Sequence, residues 1–292
     1  MTKALIIRKP TNLEQHQLLQ QQSLIAFTEA HYLRQIQKAH DEHYACLDSL
    51  HKSLKIFGIQ SAETSRGENR PSERFDLIIA LGGDGTLITA SYGISDRTPL
   101  IGIRSSSASV GFLCAGDKSN VHDVMQRFVE GRLKFVDRQR FSGQIQRADG
   151  KQLDQVQIPA LNDFLFAAAS PAATTRYRIG FEDRVESHRS SGIWVASATG
   201  STAAIGAAGG IPMDAADQHF QFQVRELYHR EEEGLLITRG FIDPLQGDFW
   251  IENHCPAAIL ALDGEKLVIK IHFGDVIRFT PAAPVRVALR PL

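Results

Sequence analysis

The pattern of apolar and polar positions is clearest between residues 75 and 93. An apolar run at residues 77–81 stops at Gly-Gly-Asp-Gly-Thr (residues 82–86), and apolar residues then recur at helical spacing. An uninterrupted apolar run is typical of a parallel strand that is buried on both faces. The spacing after the glycines indicates a helix that begins at the turn. This stretch therefore predicts a buried strand, a glycine turn at its carboxyl end and a helix whose first amide groups are free.

The first half of the chain alternates between strand and helix patterns. Strand patterns occupy residues 4–7, 99–103 and 133–136, and helical patterns occupy residues 13–57 and 120–130. The segment 13–57 contains no proline or glycine, which predicts one long helix or two helices broken near residues 23–29. The polar segment 58–72 is expected to be a linker. The alternation indicates an α/β domain with a mainly parallel sheet, at residues 1–138.

Short strand patterns dominate the second half of the chain. They recur at intervals of about ten residues, at 141–145, 155–158, 164–168, 176–181, 193–198, 259–262, 267–271, 276–279 and 285–289. Asp149-Gly150 and Asp263-Gly264 are typical hairpin turns. We therefore predict a β-rich domain at residues 139–292. The expected fold is α/β plus all-β, with the functional site in the cleft between the two domains.

Composition and charge exclude several classes of function. The 292 residues carry a formal net charge of −1, which provides no general attraction to nucleic acid or to an anionic membrane. No apolar run approaches the ~18 residues needed to span a bilayer, and the amino terminus lacks a signal-peptide core. The three cysteines, Cys46, Cys114 and Cys255, are unclustered, unlike those of a disulfide framework or a zinc site. We expect a soluble, cytoplasmic protein without nucleic-acid or membrane partners.

One helical segment carries residues that are typical metal ligands. His40, His43 and Cys46 lie three residues apart, and imidazole and thiolate groups are the usual zinc ligands. No fourth ligand is close to them in the sequence. We therefore favour a partly solvated helix face at this position and predict no metal ligands in the chain.

Asp84 is the chemically distinctive residue of the glycine turn. The neighbouring glycines leave the backbone open to a phosphate, and free amide groups at a helix start attract anions. A carboxylate would repel that phosphate unless it orients a hydroxyl, accepts a proton or binds a metal. Phosphoryl transfer uses all three functions. The alternative is a structural turn in which Asp84 only caps the helix.

Later segments offer further polar groups that could bind a ligand. Residues 199–202 (Thr-Gly-Ser-Thr) follow a strand pattern, and their hydroxyl and amide groups suit phosphate oxygens. A tightly packed helix start is the alternative. Asn162 and Asp163 interrupt an apolar stretch and either bind sugar hydroxyls or an amide or form a simple turn. Arg104 follows the strand at 99–103 and is either a phosphate contact or a rim charge.

In their order along the chain, these motifs resemble those of the NAD kinase family. The order is Gly-Gly-Asp-Gly-Thr, Leu-Asn-Asp, Thr-Gly-Ser-Thr-Ala-Ala with a following Gly-Gly, and Leu-Asp-Gly, and the resemblance extends from about residue 75 to residue 287. Five segments look most like the branch that contains the plant NADH kinase and the animal mitochondrial NAD kinase: residues 160–164, 170–176, 189–192, 199–204 and 221–226.

The resemblance implies a reaction and its reactants. Such kinases transfer the γ-phosphoryl group of ATP to the adenosine 2′-hydroxyl of NAD or NADH, which makes NADP or NADPH. They require Mg²⁺ or another divalent cation. They typically work as oligomers, and we expect a homodimer here.

The resemblance also implies roles for individual residues. Asp84 orients or deprotonates the 2′-hydroxyl, and three neighbours line the phosphate side: Gly83, Gly85 and Thr86. Asn162 and Asp163 match a pair that grips the ribose and adenine region. The phosphate or dinucleotide loop is matched by Thr199, Gly200, Ser201 and Thr202. Phe112 matches an aromatic residue near the adenine, and Asp263 lies in a late turn near the site.

Three residues depart from the family pattern. Asp163 replaces the commoner glutamate, which is longer by one methylene. Ser191 replaces an aspartate that approaches the nicotinamide end in the common bacterial branch. Ala204 replaces a tyrosine and removes a possible stacking surface. All three bear on substrate recognition, so both NAD and NADH remain candidate acceptors.

Two other functions are compatible with parts of the pattern. A diacylglycerol-type lipid kinase shares the glycine motif, but the sequence lacks the basic amphipathic helix expected for membrane recruitment. A non-catalytic regulator that binds a dinucleotide is the other alternative. The presence of Asp84 argues against it, because binding alone would be favoured by the loss of that negative charge.

Overall fold

The computed structural model describes residues 2–21, 29–66, 74–228, 234–246, 249–265 and 267–291. The chain divides into two units. Unit 1 contains Met1–Asp137 and Val285–Leu292, and unit 2 contains Arg138–Pro284. The chain leaves unit 1 one residue before the predicted boundary, and residues 285–292 return to it. Among the described residues, no helix combines the length and hydropathy needed to cross a bilayer.

Unit 1 is built on a parallel sheet. Its strands are β1 (Lys3–Arg8), β2 (Gln60–Ser65), β3 (Leu77–Gly82), β4 (Leu100–Arg104) and β5 (Gly116–Asp117). The spatial order is β4-β3-β1-β2, and β5 pairs with β4. Every residue of β3 is buried, as the apolar run predicted. Since all these strands run in one direction, their carboxyl ends meet at a single edge of the sheet.

Four helices accompany this sheet: α1 (Asn12–Gln21), α2 (Ala30–Ile56), α3 (Asp84–Ser91) and α4 (Val121–Val129). The segment 13–57 thus forms two helices, and residues 22–28 of the predicted break lie outside the described residues. One face of α2 is buried and includes Leu47, Leu50 and Leu54. The prediction of a partly solvated face is wrong for His43 and Cys46, which are buried on this side.

Strand β2 corrects the prediction of a linker at residues 58–72. It pairs in parallel with β1 along its whole length, from Lys3 opposite Gln60 to Arg8 opposite Ser65. Only Thr64 of this strand is buried, so its sequence lacks the apolar run of a central strand. The strand forms because it can occupy the edge of the sheet, where polar side chains remain in solvent. Residues 67–72 of the predicted linker lie outside the described residues.

Unit 2 is predominantly β-structure, as predicted. Its strands are β6 (Phe135–Gln146), β7 (Leu153–Gln155), β8 (Asp163–Ala168), β9 (Thr175–Phe181), β10 (Arg184–Ser190), β11 (Gly192–Ala196), β12 (Phe220–Arg225), β13 (Arg239–Ile242), β14 (Phe249–Asn253), β15 (Ala258–Leu262), β16 (Leu267–Ile271) and β17 (Val276–Ala288). One sheet has the order β13-β12-β11-β8-β15-β16, and β10-β9-β14-β17 are also neighbours. A short helix, α5 (Ala204–Ala207), follows a 3₁₀ turn at Gly200–Thr202.

Aromatic side chains fill the core of unit 2. Phe141 stacks on Phe220 with ring centroids 4.5 Å apart, and Phe222 stacks on Phe249 at 4.7 Å. Phe279 joins the cluster through Phe141. These side chains come from four strands, so apolar burial and aromatic pairing connect distant parts of the sequence in this cluster.

Candidate active site

Asp84 is the first residue of α3, directly after the buried strand β3. Its Oδ1 accepts a hydrogen bond from the backbone N–H of Leu113 at 2.8 Å, and its Oδ2 accepts one from Phe112 at 3.1 Å. The carboxylate is therefore held by a distant loop and does not cap its own helix. Since two carboxylate oxygens offer about four acceptor positions, Asp84 can still accept a hydrogen bond from a ligand hydroxyl.

The glycine turn lines a pocket of about 250 Å³. Its lining residues are Lys9, Arg66, Gly83, Asp84, Gly85, Thr86, Ala108, Ser109 and Val110. A Cβ atom on Gly83 would lie 2.9 Å from the Val110 carbonyl oxygen, whereas one on Gly85 would meet only the Arg66 guanidinium at 3.8 Å. Gly83 is thus required by packing, and Gly85 leaves the backbone open to the pocket.

Thr86 also lines this pocket, and its backbone N–H donates to the Gly83 carbonyl at 2.9 Å. Its side chain is buried, and the hydroxyl has no hydrogen-bond partner among the described residues. A Cβ atom on Gly82 would lie 2.2 Å from that hydroxyl oxygen. The Thr86 hydroxyl therefore packs beneath the turn. Gly83, Gly85 and Thr86 line the same pocket as Asp84. Their role in phosphate binding stays a prediction.

The pocket contains two cationic residues that the sequence pattern did not indicate. Lys9 follows β1 and Arg66 follows β2, and β1 lies between β2 and β3 in the sheet. The carboxyl ends of these strands therefore bring both side chains to the glycine turn. For Lys9 the sequence offered one indication of a position at the site, because Lys9 follows a predicted strand. Arg66 had none, because it follows a strand that the polar sequence did not reveal.

Arg104 and Phe112 both border the glycine turn through their backbones, Arg104 as the strand partner of Gly82 and Phe112 through its bond to Asp84. Arg104 forms an ion pair with Asp117 at 3.0 Å and lines a separate pocket of about 540 Å³. The structure therefore does not bring Arg104 to the Asp84 pocket. The Phe112 ring is 72% exposed, although its backbone N–H binds Asp84. An exposed ring at this place suits stacking on a ligand base.

In unit 2, Asp263 organises the segment that contains Asn162 and Asp163. Its Oδ1 accepts hydrogen bonds from the backbone N–H groups of Asn162 at 2.8 Å and Asp163 at 3.0 Å, and its Oδ2 accepts one from Leu161 at 3.1 Å. The Asp263 N–H in turn donates to the Asp163 carbonyl at 2.9 Å. Asp263 therefore supports the Asn162-Asp163 pair through the backbone.

The side chains of Asn162 and Asp163 are the hydrogen-bonding groups that this segment offers to a ligand. Burial, together with the charge of Asp263, raises the pKa of Asp163 to about 7. Among the described residues, Asn162 Oδ1 is buried without a hydrogen-bond partner. Because an unpaired buried acceptor is costly, both groups favour a ligand that donates hydrogen bonds, such as a sugar hydroxyl or an amine.

The segment Thr199–Thr202 packs directly against Asn162. A Cβ atom on Gly200 would lie 2.2 Å from the Asn162 carbonyl oxygen. Ser201 is fully buried, and its hydroxyl donates to the Ala198 carbonyl at 2.8 Å and accepts the Met213 N–H at 2.9 Å. Its side chain therefore supports the loop. Thr202 is exposed, and the Thr199 hydroxyl lies 3.4 Å from Arg138 Nη1.

Ser191 lies at the other end of β11 from this group. It directly precedes Gly192, the first residue of the strand, whereas Asp163 is paired with Ala196, the last one. Five residues of extended chain span ~16 Å. The structure therefore brings Asn162, Asp163 and residues 199–201 together and leaves Ser191 apart.

The described residues contain no group of three or more His, Cys, Asp or Glu side chains that could hold a metal ion. The histidines and cysteine of α2 do not converge. His40 is hydrogen-bonded to the Thr11 hydroxyl at 2.8 Å. The buried Cys46 thiol points to the Arg104 carbonyl at 3.9 Å. His43 is buried beside Arg8 and Lys9, and its pKa is lowered to about 4 by burial and by these cations.

Comparison with known proteins shows which proteins this chain is similar to. Residues 8–133 match the model of the ATP-NAD kinase N-terminal domain. A probable NADH kinase of Oryza sativa subsp. japonica is 26% identical over 264 residues, which cover 82% of this chain and 77% of the rice protein. The NADH kinase of Arabidopsis thaliana is 27% identical over 302 residues, which cover 97% of this chain and 94% of that protein.

A solved structure shares the fold. The crystal structure of yeast NADH kinase complexed with NADH gives a TM-score of 0.68 at 16% sequence identity and covers 100% of this chain and 84% of the yeast chain. The expected combination of an α/β domain and a β-rich domain is confirmed by this match. The chain therefore contains the NAD kinase N-terminal domain at residues 8–133 and is similar to the two plant NADH kinases along most of its length.

Proposed function

We propose that the chain is an NAD(H) kinase that transfers the γ-phosphoryl group of ATP to the adenosine 2′-hydroxyl of NAD or NADH. The observation that carries this proposal is the Asp84 carboxylate, which is held by two backbone amides inside a pocket of glycines and cations. Phosphoryl transfer depends mainly on positioning and on charge stabilisation. A fixed carboxylate beside a phosphate-binding surface is chemically sufficient for it.

Asp84 acts on the acceptor hydroxyl in this proposal. It accepts a hydrogen bond from the 2′-hydroxyl and takes up its proton as the oxygen bonds to the γ-phosphorus and the bond to the ADP leaving group breaks. The backbone donors from Phe112 and Leu113 hold the carboxylate in one orientation. Because the orientation is fixed before the substrate binds, little reorganisation is required during the reaction.

Recognition of the acceptor is assigned to unit 2. The unpartnered Asn162 Oδ1 and the buried Asp163 carboxyl accept hydrogen bonds from ribose hydroxyls or from the adenine amino group. The Gly200 and Ser201 amides donate within the loop, so the amides of Thr199 and Thr202 are assigned to the ligand. The Ser201 side chain keeps the loop folded. Ser191 is assigned to the nicotinamide end, with Phe112 and Arg104 as contacts for the base and for a charged group.

A divalent cation such as Mg²⁺ is proposed to accompany ATP. Asp84 is the one carboxylate among the described residues that line its pocket. In phosphoryl-transfer sites Mg²⁺ is commonly held by one or two carboxylates together with substrate phosphates and water, so this donor set fits the ion. When bound, the ion would neutralise charge on the phosphate oxygens.

The test is the initial rate of NADP or NADPH formation with Mg-ATP, measured separately with NAD and NADH. Asp84→Asn should reduce kcat by about 100-fold or more, since general acid–base catalysis contributes on this scale, while binding of the dinucleotide persists. Asp48→Asn, at an exposed position of α2, is the matched control and should retain the wild-type rate. Formation of phospholipid from diacylglycerol vesicles, or tight dinucleotide binding without turnover, would contradict the proposal.

Two further properties are proposed for the whole protein. We expect a homodimer, supported by the 27-residue helix α2 and the exposure of Tyr32 in its first turns. Light scattering that gives the monomer mass of 32.3 kDa would contradict this. We also expect a cytoplasmic location, supported by the three buried, unpaired cysteines. Fractionation of cells that express a tagged full chain would test it.

A further inference from the structure

The two cations of the Asp84 pocket have no assigned role, although they meet at the glycine turn. Lys9 and Arg66 both line the pocket with the first turn of α3. The Arg66 Nη1 atom lies 3.8 Å from the position that a Cβ atom would take on Gly85. The sheet order β3-β1-β2 explains this meeting, because each residue follows the carboxyl end of its strand.

Neither cation forms an ion pair with another described residue. No ion pair joins Lys9 or Arg66 to a described carboxylate, whereas the neighbouring Arg8 pairs with Glu63 at 3.4 Å and lies over the Tyr44 ring. Burial and the charge of Arg66 lower the pKa of Lys9. Two like charges in a half-buried pocket repel each other. An anion bound between them would relieve this repulsion and the cost of their burial.

The size and backbone of the pocket indicate which anion fits. A volume of about 250 Å³ is below the ~300–1,000 Å³ typical of sites for whole small molecules, so the pocket suits part of a nucleotide. In the first turn of α3 the Asp84 N–H donates to the Val110 carbonyl at 3.3 Å and the Thr86 N–H donates to the Gly83 carbonyl at 2.9 Å, so Gly85 supplies the amide that is available to an anion. Two cations and the exposed backbone of Gly85 are together suited to a chain of phosphate groups.

We propose that Lys9 and Arg66 bind the β- and γ-phosphate oxygens of ATP against the first turn of α3. This assignment rests on the proposed kinase function, because Asp84 at the same turn would handle the acceptor hydroxyl beside the transferred phosphoryl group. The diphosphate of the dinucleotide has the same chemistry. ATP is favoured because the γ-phosphorus must reach the hydroxyl that Asp84 orients.

The experiment compares Lys9→Gln, Arg66→Gln and the double variant with Lys38→Gln, an exposed lysine of α2. In each variant at Lys9 or Arg66 the KM for Mg-ATP should rise about tenfold or more, since charge-assisted hydrogen bonds are roughly twice as strong as neutral ones. The KM for NAD or NADH should change less than about twofold. Lys9→Arg keeps the charge and should recover part of the loss. Thermal melting verifies that each variant is folded.

A binding measurement separates this inference from the proposed reaction. Calorimetric titration with inorganic tripolyphosphate, without acceptor, should show affinity in the wild type and in Lys38→Gln that is lost in the double variant. Unchanged tripolyphosphate affinity and unchanged KM for Mg-ATP would overturn the assignment. A rise confined to the KM for the dinucleotide would also overturn it, in favour of the diphosphate of the acceptor. A wild type that binds tripolyphosphate but phosphorylates neither dinucleotide would refute the proposed function while retaining the phosphate site.

Discussion

The Oδ1 atom of Asp84 accepts the backbone N–H of Leu113 at 2.8 Å, across 29 residues of sequence. This contact joins the glycine turn after β3 to the loop after β4. The position of the carboxylate therefore depends on two segments of the chain, the turn after β3 and the loop after β4. The Asp84 carboxylate is therefore held by two backbone donors from another segment, an arrangement that suits the positioning role proposed for it.

Substitutions of Gly83 and Gly85 should separate stability from nucleotide binding. Gly83→Ala places a Cβ atom 2.9 Å from the Val110 carbonyl oxygen and should lower the free energy of unfolding by roughly 1–3 kcal/mol through overpacking. Gly85→Ala places a Cβ atom 3.8 Å from Arg66 Nη1, an ordinary contact distance, so the stability of this variant should change by at most ~1 kcal/mol. Chemical denaturation measures both values.

Gly85→Ala should nevertheless weaken nucleotide binding, because the new methyl group faces the pocket. We expect a higher KM for Mg-ATP in this stable variant. If Gly83→Ala proved as stable as the wild type, the packing of residues 109–110 against the turn would be misassigned.

The buried Asp163 carboxyl should make stability depend on pH. Its pKa is raised to about 7 in the folded protein from an ordinary value near 3.9 in the unfolded chain. Between these values the folded state binds more protons, so this group's contribution to stability falls as the pH rises from about 4 to about 7 and then levels off. Asp163→Asn should remove this pH-dependent loss of stability, because asparagine does not titrate. Between pH 5 and 8 the wild type should lose about 2 kcal/mol more than the variant, since one pH unit corresponds to ~1.4 kcal/mol.

Urea denaturation at several pH values measures the Asp163 effect. Asp183→Asn, at an exposed position of the same unit, is the control and should follow the wild-type profile. Parallel profiles for the wild type and Asp163→Asn would contradict the assignment of a raised pKa to this carboxyl.

Two substitutions of Asp263, to asparagine and to alanine, should lower the free energy of unfolding by different amounts if this residue supports the Asn162-Asp163 segment. Its backbone has a φ of 46°, a conformation that asparagine tolerates better than alanine. Asp263→Asn keeps an acceptor for the N–H groups of Asn162 and Asp163, while Asp263→Ala leaves three backbone donors without their partner. Alanine should lower the free energy of unfolding by about 3 kcal/mol, and asparagine by less, since hydrogen bonds to charged groups contribute ~1.5–3 kcal/mol each.

A second measurement on Asp263→Asn tests its electrostatic influence. Removal of the negative charge should lower the pKa of Asp163, because Asp263 is one of the two causes that raise it. The pH at which stability levels off should therefore shift downward. An unchanged profile would assign the raised pKa to burial alone.

The local pattern was sufficient where a segment's own residues determine its structure. The strand β3, the glycine turn and the helix α3 follow from the apolar run, the absence of Cβ atoms and the helical spacing. The same holds for the α2 face that packs on the sheet. In each case the buried face can be predicted from consecutive residues, because a strand places every second residue on one face and a helix places every third to fourth residue on one face. The sequence alone thus determined the fold class, the family resemblance and the position of Asp84 at the start of a helix.

Tertiary structure decided what depends on contacts between distant segments. It turned Arg104 toward Asp117, separated Ser191 from Asp163 by the length of β11, and buried the Ser201 hydroxyl inside its own loop. It also formed β2 from a polar segment and thereby brought Arg66 to the glycine turn beside Lys9. Strand pairing and register are set by which edges can pair and by which faces must be buried, and that information is spread over the whole chain. Asp84 could therefore be identified from its neighbours in sequence, whereas the cations around it could be identified only from its neighbours in space.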